Sequence, residues 1–308
     1  MVLHKLLSLC AAASLTIATS ATAEREVETL DATSPWHLDM AEHKCRLARA
    51  FGNEDTPTIF YLEQWGPSER AIWAVAGPQT ATFRADRAAT YSFGPNGETS
   101  EFKFFDSAFG SFGKLLSAHT AIAGKAVIDP DAIEVDAIVV DDRGGSAPGM
   151  PQLDGEAAAG VSRLTISQHG RSDLVLSLGN MDKPVKALNA CIEDLVKYWG
   201  FDPEEQRRVA SPPEITNFRT VYREVTKTYP KDAIAEGRQA DFYLRLNIDS
   251  TGKVSDCVLL NQTVTDGFEM AVDPCSTFMK SAKIKPALDV DGRPVRTFFT
   301  TRIVYRRS

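Results

Sequence analysis

Four groups of residues in this chain have the types that could do chemistry. His37, His43 and Cys45 place two imidazoles and a thiol in one short stretch. Zinc sites draw four nitrogen or sulfur ligands from recurring spacings such as Cys-x-x-Cys, and this stretch matches none of them. Ser167, His169 and Asp173 supply the residue types of a hydrolase triad. No Gly-x-Ser-x-Gly elbow presents the serine, and triads are assembled from distant segments, so these three read as turn residues. Gly144-Gly145-Ser146 lacks the lysine and the strand-to-helix setting of a phosphate loop. Asp141-Asp142 lacks the further carboxylates of a calcium loop. The expectation is therefore a protein that is not an enzyme, with no catalytic residue, cofactor or metal.

The cysteines have a different meaning. Lys5, the apolar run Leu6 to Ile17 and the small-x-small site Ala21-Thr22-Ala23 read as an export signal over residues 1–23, removed after Ala23. A retained membrane anchor is the competing reading. Removal leaves Cys45, Cys191, Cys257 and Cys275, an even number in an exported chain, and hence two disulfides with three conceivable pairings. Cys257 and Cys275 fall in one strand-and-helix unit and are expected to pair, which leaves Cys45 with Cys191. Loop entropy favours the long closure at about 4–5 kcal/mol over about 3 kcal/mol for the short one. After the signal, no stretch is long and apolar enough to span a bilayer.

Stepping along the chain, 308 residues leave room for two domains. A net charge of −7 argues against nucleic acid as a general partner. Residues 24–203 read as an α+β domain rich in strands. Thr58–Gln64, Ala71–Ala76, Ala81–Arg84, Ile133–Val140, Leu164–Ile166 and Leu174–Leu178 are strand candidates, and a hairpin is expected around Gly94-Pro95-Asn96-Gly97. Phe109 to Ser117 reads as a weak helix. The clear helix is Lys183 to Tyr198, whose stripe of Val185, Leu188, Ile192, Leu195 and Val196 must face a sheet. Residues 204–216, stiffened by Pro212-Pro213, read as a linker.

Residues 217–308 open with a helix, Arg219 to Lys227, and then alternate cleanly. Phe242, Leu244, Leu246 and Ile248 share one face of a strand, while Tyr243, Arg245 and Asn247 share the other. Ser250-Thr251-Gly252 turns the chain into a second strand through Val254, Cys257 and Leu259, with a bulge expected at Ser255-Asp256. A helix around Phe268 to Ala282 must restart at Pro274, and Val295 to Arg306 forms the last strand. Tyr229-Pro230, Ala233, Gly237, the Asp249-to-Lys253 hairpin with Val254, and Pro286-Ala287 stand in an order that resembles the C-terminal domain of the TonB family. The resemblance implies a small domain of a three-stranded antiparallel sheet and helix. With the first part, this gives an α+β fold in two domains.

The resemblance also implies that the last strand lies at a sheet edge and receives an extended segment of an outer-membrane receptor, the TonB box. Arg296, Phe298, Thr300, Arg302, Val304 and Arg306 would line that strand for a partner, the arginines favouring an acidic one. Phe299, Ile303 and Tyr305 would pack inward. The resulting expectation is a periplasmic protein of the Gram-negative envelope. It would bind an outer-membrane or other envelope protein by strand addition, as an accessory to TonB-dependent transport. Two readings compete: a periplasmic enzyme whose first domain is catalytic, and a structural module that forms a homodimer through its last strand.

Overall fold

The computed structural model describes residues 26–94, 97–104, 106–120, 122, 133–135, 138–140, 148–238, 240–264 and 274–305. The signal segment, the Asp141-Asp142 and Gly144-Gly145-Ser146 motifs, Asp273 and Arg306 lie outside them. Ten strands come first: β1 (Val27–Asp31), β2 (His37–Ala41), β3 (Lys44–Phe51), β4 (Thr58–Gln64), β5 (Ala71–Ala76), β6 (Ala89–Phe93), β7 (Ser100–Phe102), β8 (Leu115–Thr120), β9 (Ile133–Val135) and β10 (Ile138–Val140). Helix α1 (Gly155–Ala159), strands β11 (Arg163–Ser167) and β12 (Asp173–Ser177), and helix α2 (Asp182–Tyr198) complete the first part.

Two five-stranded sheets, ordered β2-β3-β4-β5-β8 and β1-β12-β11-β6-β7, face each other over one core. Aromatic rings lock them edge to face. Trp73 on β5 lies 5.0 Å from Tyr91 and 5.1 Å from Phe102, on the opposing sheet. Helix α2 adds its buried stripe to the same core, and the Cys45–Cys191 disulfide joins it to β3.

Two expectations fail here. Ala81–Arg84 is no strand: Pro78–Thr82 is a 3-10 turn, held by the Thr80 hydroxyl on the Gly77 and Lys114 carbonyls. Phe109–Ser117 is no helix either. Gly110 opens a short 3-10 turn and Gly113 ends it, both at positive φ, and β8 then pairs with β5 along its whole length. The ladder outweighed a weak local propensity. The expected hairpin forms, with β6 antiparallel to β7, although Pro95 and Asn96 are outside the described residues.

The stretch expected as a linker is folded. Asp202 caps α3 (Pro203–Arg207) through the Glu204 N–H, with proline in the first helical position. β13 (Val209–Ser211) and β14 (Glu214–Ile215) follow, before α4 (Phe218–Lys227) and α5 (Lys231–Glu236). Then come β15 (Ala240–Ile248), β16 (Val254–Val264), α6 (Pro274–Ser281), β17 (Ile284–Lys285), β18 (Ala287–Asp289), β19 (Pro294–Val295) and β20 (Thr297–Tyr305). β13 pairs with β18, and β14 pairs with β17. Pro212-Pro213 therefore join two strands that both pair with the last domain, rather than forming a spacer.

The β15–β16 ladder skips Ser255 and Leu260, so the first bulge falls where the broken alternation of the second strand put it. The Cys257–Cys275 disulfide then ties β16 to α6. Gly252, at φ +87°, makes the turn into β16. A Cβ there would sit 2.1 Å from the Ile284 carbonyl oxygen, so both conformation and space require glycine.

Candidate functional site

One face of the terminal sheet is a self-contained core. Phe242, Leu244, Leu246 and Ile248 of β15 meet Phe299, Ile303 and Tyr305 of β20 on it. Val221 and Val225 of α4 and Phe278 of α6 cover them. Strict period-two alternation places these residues together, because successive strand side chains point to opposite faces. The Tyr305 ring stands 5.0 Å from Tyr229, and its hydroxyl lies 2.7 Å from that of Thr228. Burial pushes the Tyr305 phenol up to about 12, so it stays a neutral hydrogen-bonding group.

The other face is docked on the first part of the chain. Tyr243 packs 4.0 Å from Trp65, and its hydroxyl is 2.8 Å from Nε2 of His119 on β8. Arg245, 5% exposed, lays its guanidinium 4.1 Å over the Trp199 ring. Phe298 is buried edge to face between Trp199 at 5.4 Å and Phe201 at 5.1 Å. Gln206 braces the seam, accepting from the Thr297 hydroxyl at 2.8 Å and donating to the Arg296 carbonyl at 3.1 Å.

His119 is the titratable group most affected. Burial, then the charges of Arg302 and Arg70, push its pKa down to about 3, so the imidazole is neutral across the physiological range.

This docking corrects the reading of the last strand in two ways. First, two of its three arginines, Arg296 and Arg302, have partners within the chain, while Arg306 lies outside the described residues. Arg302 forms an ion pair with Asp241 at 2.5 Å, and Arg296 stacks 4.2 Å over Phe201 while donating to the Gly200 carbonyl. Arg302 is thereby compensated by a carboxylate, whereas Arg296 is held in place but keeps an exposed positive charge. Phe298 and Val304 are buried, as is Thr301 on the opposite face; Thr300 is half-buried, with its methyl 3.7 Å from where a Cβ on Gly66 would sit. Second, β20 is not an edge strand. The sheet runs β16-β15-β20-β10-β9, five strands instead of three. β15 pairs with all nine residues of β20 on one side. On the other, Ile303, Val304 and Tyr305 pair antiparallel with Val140, Val139 and Ile138. The chain's own first part reaches the margin that the resemblance reserved for a partner.

A signal for the docked face was present in the sequence. Phe298-Phe299 and Ile303-Val304 put apolar residues on both faces of one strand, the pattern of a strand covered on both sides. Nothing local marked Trp65, His119, Trp199 or Gln206 as its cover.

The candidate catalytic residues are scattered. Cys45 is in a disulfide. His37 lies on β2, the outer strand of its sheet, and His43 is 3.8 Å from the exposed Glu42 carboxylate. Ser167 ends β11 and Asp173 begins β12, with His169 in the turn between them. Among the described residues, no group of three or more potential ligands could hold a metal. An open groove of about 620 Å³ lies beside Tyr229-Pro230, lined by Lys227, Lys231, Lys280, Thr277 and Ser281, and contains none of these histidines.

Two helices across one face of an antiparallel three-strand core, with short paired strands beside it, define the terminal part as a small α+β module. Residues 225–306 match the family model described as Gram-negative bacterial TonB protein C-terminal, so the chain carries a TonB C-terminal domain segment of the kind found in Gram-negative envelope proteins. No curated protein and no solved structure matches the chain. Among the described residues, no helix is long and apolar enough to cross a membrane.

Proposed function

We propose that this is a non-enzymatic periplasmic protein that binds an extended segment of an outer-membrane or other envelope protein by strand addition at β20. In this reading it is an accessory to TonB-dependent transport and not the force transducer. The observation that carries it is the pairing of β20 itself. Its side opposite β15 takes an antiparallel strand, β10, over Ile303 to Tyr305, which supports this side as one that accepts strands, with β10 the occupant that an incoming segment must replace or extend. The family match supplies the class of partner. The accessory role is supported by the folded stretch between the two parts, in which α3, β13 and β14 stand where a transducer would need a long spacer.

The test is hydrogen exchange on the full chain with a synthetic peptide carrying a receptor's TonB-box segment. Binding should slow exchange within residues 297–305. Protection confined to the groove beside Tyr229-Pro230, or no binding at millimolar peptide, would overturn the reading.

A further inference from the structure

We infer that β10 is a resident occupant of the strand-receiving margin of β20, and that an envelope partner enters by displacing it. The inference rests on the strand-addition reading above and adds to it a regulation and a partner chemistry. A strand that pairs along the full length of β20 must use the donors and acceptors of Ile303, Val304 and Tyr305 on the side away from β15. In this chain Val140, Val139 and Ile138 hold them. Resident and incomer cannot both be paired there, so binding is an exchange of one antiparallel ladder for another.

The exchange is balanced by length against tethering. β10 is joined to the same chain, which gives it an effective concentration on the order of millimolar. Its described ladder covers three residues, whereas β15 shows that β20 can sustain nine. A partner that pairs along more of β20 gains bonds that β10 does not make, and this offsets the advantage of the tether. β9 backs β10 in an antiparallel pair, so the resident is a two-stranded ribbon added to the sheet. Short ribbons of this kind are marginal by themselves, which suits an element meant to leave.

The partner chemistry follows from the charges already in use. Arg302 is matched by Asp241, while Arg296 stacks over Phe201 at the exposed start of the strand, away from the Ile303–Tyr305 ladder. The resident sequence is Ile133-Glu134-Val135 followed by Ile138-Val139-Val140, rich in β-branched residues. The incoming segment is therefore an extended, β-branched peptide resembling the strand that it replaces.

Two variants of the full chain test this. In the first, residues 133–140 are replaced by a Gly-Ser segment of equal length. In the second, Val139→Cys and Val304→Cys join directly opposed residues, whose Cα spacing in a ladder suits a disulfide. The probes are a synthetic copy of residues 133–142 and a receptor TonB-box peptide, each read by fluorescence anisotropy. The Gly-Ser variant should bind the copy peptide at least tenfold more tightly than the parent chain, and the oxidised double-cysteine variant should bind neither probe. Equal affinity of all three chains for both probes would overturn displacement while leaving strand addition standing. Binding of the copy peptide by the Gly-Ser variant, with no binding of the receptor peptide by any chain, would keep the resident strand and sink the transport reading. The cysteine variant preserves the native pairing, so it decides the question even where the Gly-Ser variant does not fold: receptor-peptide binding unchanged by oxidation would refute displacement.

Discussion

The two faces of the terminal sheet are built on different principles. The helix-covered face is assembled from within residues 218–305 and is almost wholly apolar, with Leu244, Leu246, Ile248, Phe278 and Ile303 all fully buried. The opposite face is closed by residues from elsewhere, and its contacts are mixed: a guanidinium on an indole, a tyrosine on a neutral histidine, a phenylalanine between two rings. The first face resembles the interior of a domain, and the second resembles an interface between domains, which is characteristically more polar. The difference teaches that the terminal module can hold its own core while its attachment to the first part remains a separate quantity.

That contrast can be broken by measurement. The largest effect is expected on the helix-covered face, where Phe278→Ala should cost about 3–5 kcal/mol in urea unfolding, the usual range for emptying a well-packed aromatic site. Replacing both Cys257 and Cys275 by serine removes the staple between β16 and α6 and should cost about 3 kcal/mol, from a closed loop with a sequence separation of 18. On the docked face, Phe298→Ala should instead loosen the attachment. Calorimetry should then resolve two transitions where the parent chain gives one, and a single cooperative transition for this variant would show that the two faces belong to one unit.

A pH effect sharpens the same contrast. His119 has a folded pKa of about 3, below the ordinary histidine value of about 6.5. Between those values the unfolded chain holds the extra proton, so stability contributed by the neutral ring is full above about pH 6.5 and falls as pH drops toward 3. His119→Gln should flatten the loss of stability measured between pH 7 and pH 5, where most carboxylates stay ionised. An unchanged slope would place the histidine outside the seam. The smallest effect is Tyr243→Phe, which removes one hydrogen bond to His119 and should cost about 0.5–1.5 kcal/mol.

Legibility followed the range of the interactions. The strand over Asp241 to Asp249, the bulge at Ser255, the helix start at Pro274 and the stripe of α2 were readable because each depends on neighbours a few positions away. The 3-10 turn at Pro78–Thr82 and the strand β8 were misread because a hydroxyl bond to Lys114 and a ladder to β5 decided them from far along the chain. The candidate site suffered most. Arg296 and Arg302 look like free cations in a list of residues, and only the structure shows the one stacked on Phe201 and the other paired with Asp241.

By itself, then, the sequence determined the terminal module, its covered face and the two cysteine pairs, through periodicity and short-range covalent logic. Tertiary structure alone decided what lies against the second face and beside β20. A strand's pattern states which faces are apolar but carries no record of which distant segment will cover them. Backbone donors and acceptors, moreover, are the same in every residue but proline, so no sequence marks which margin stays open.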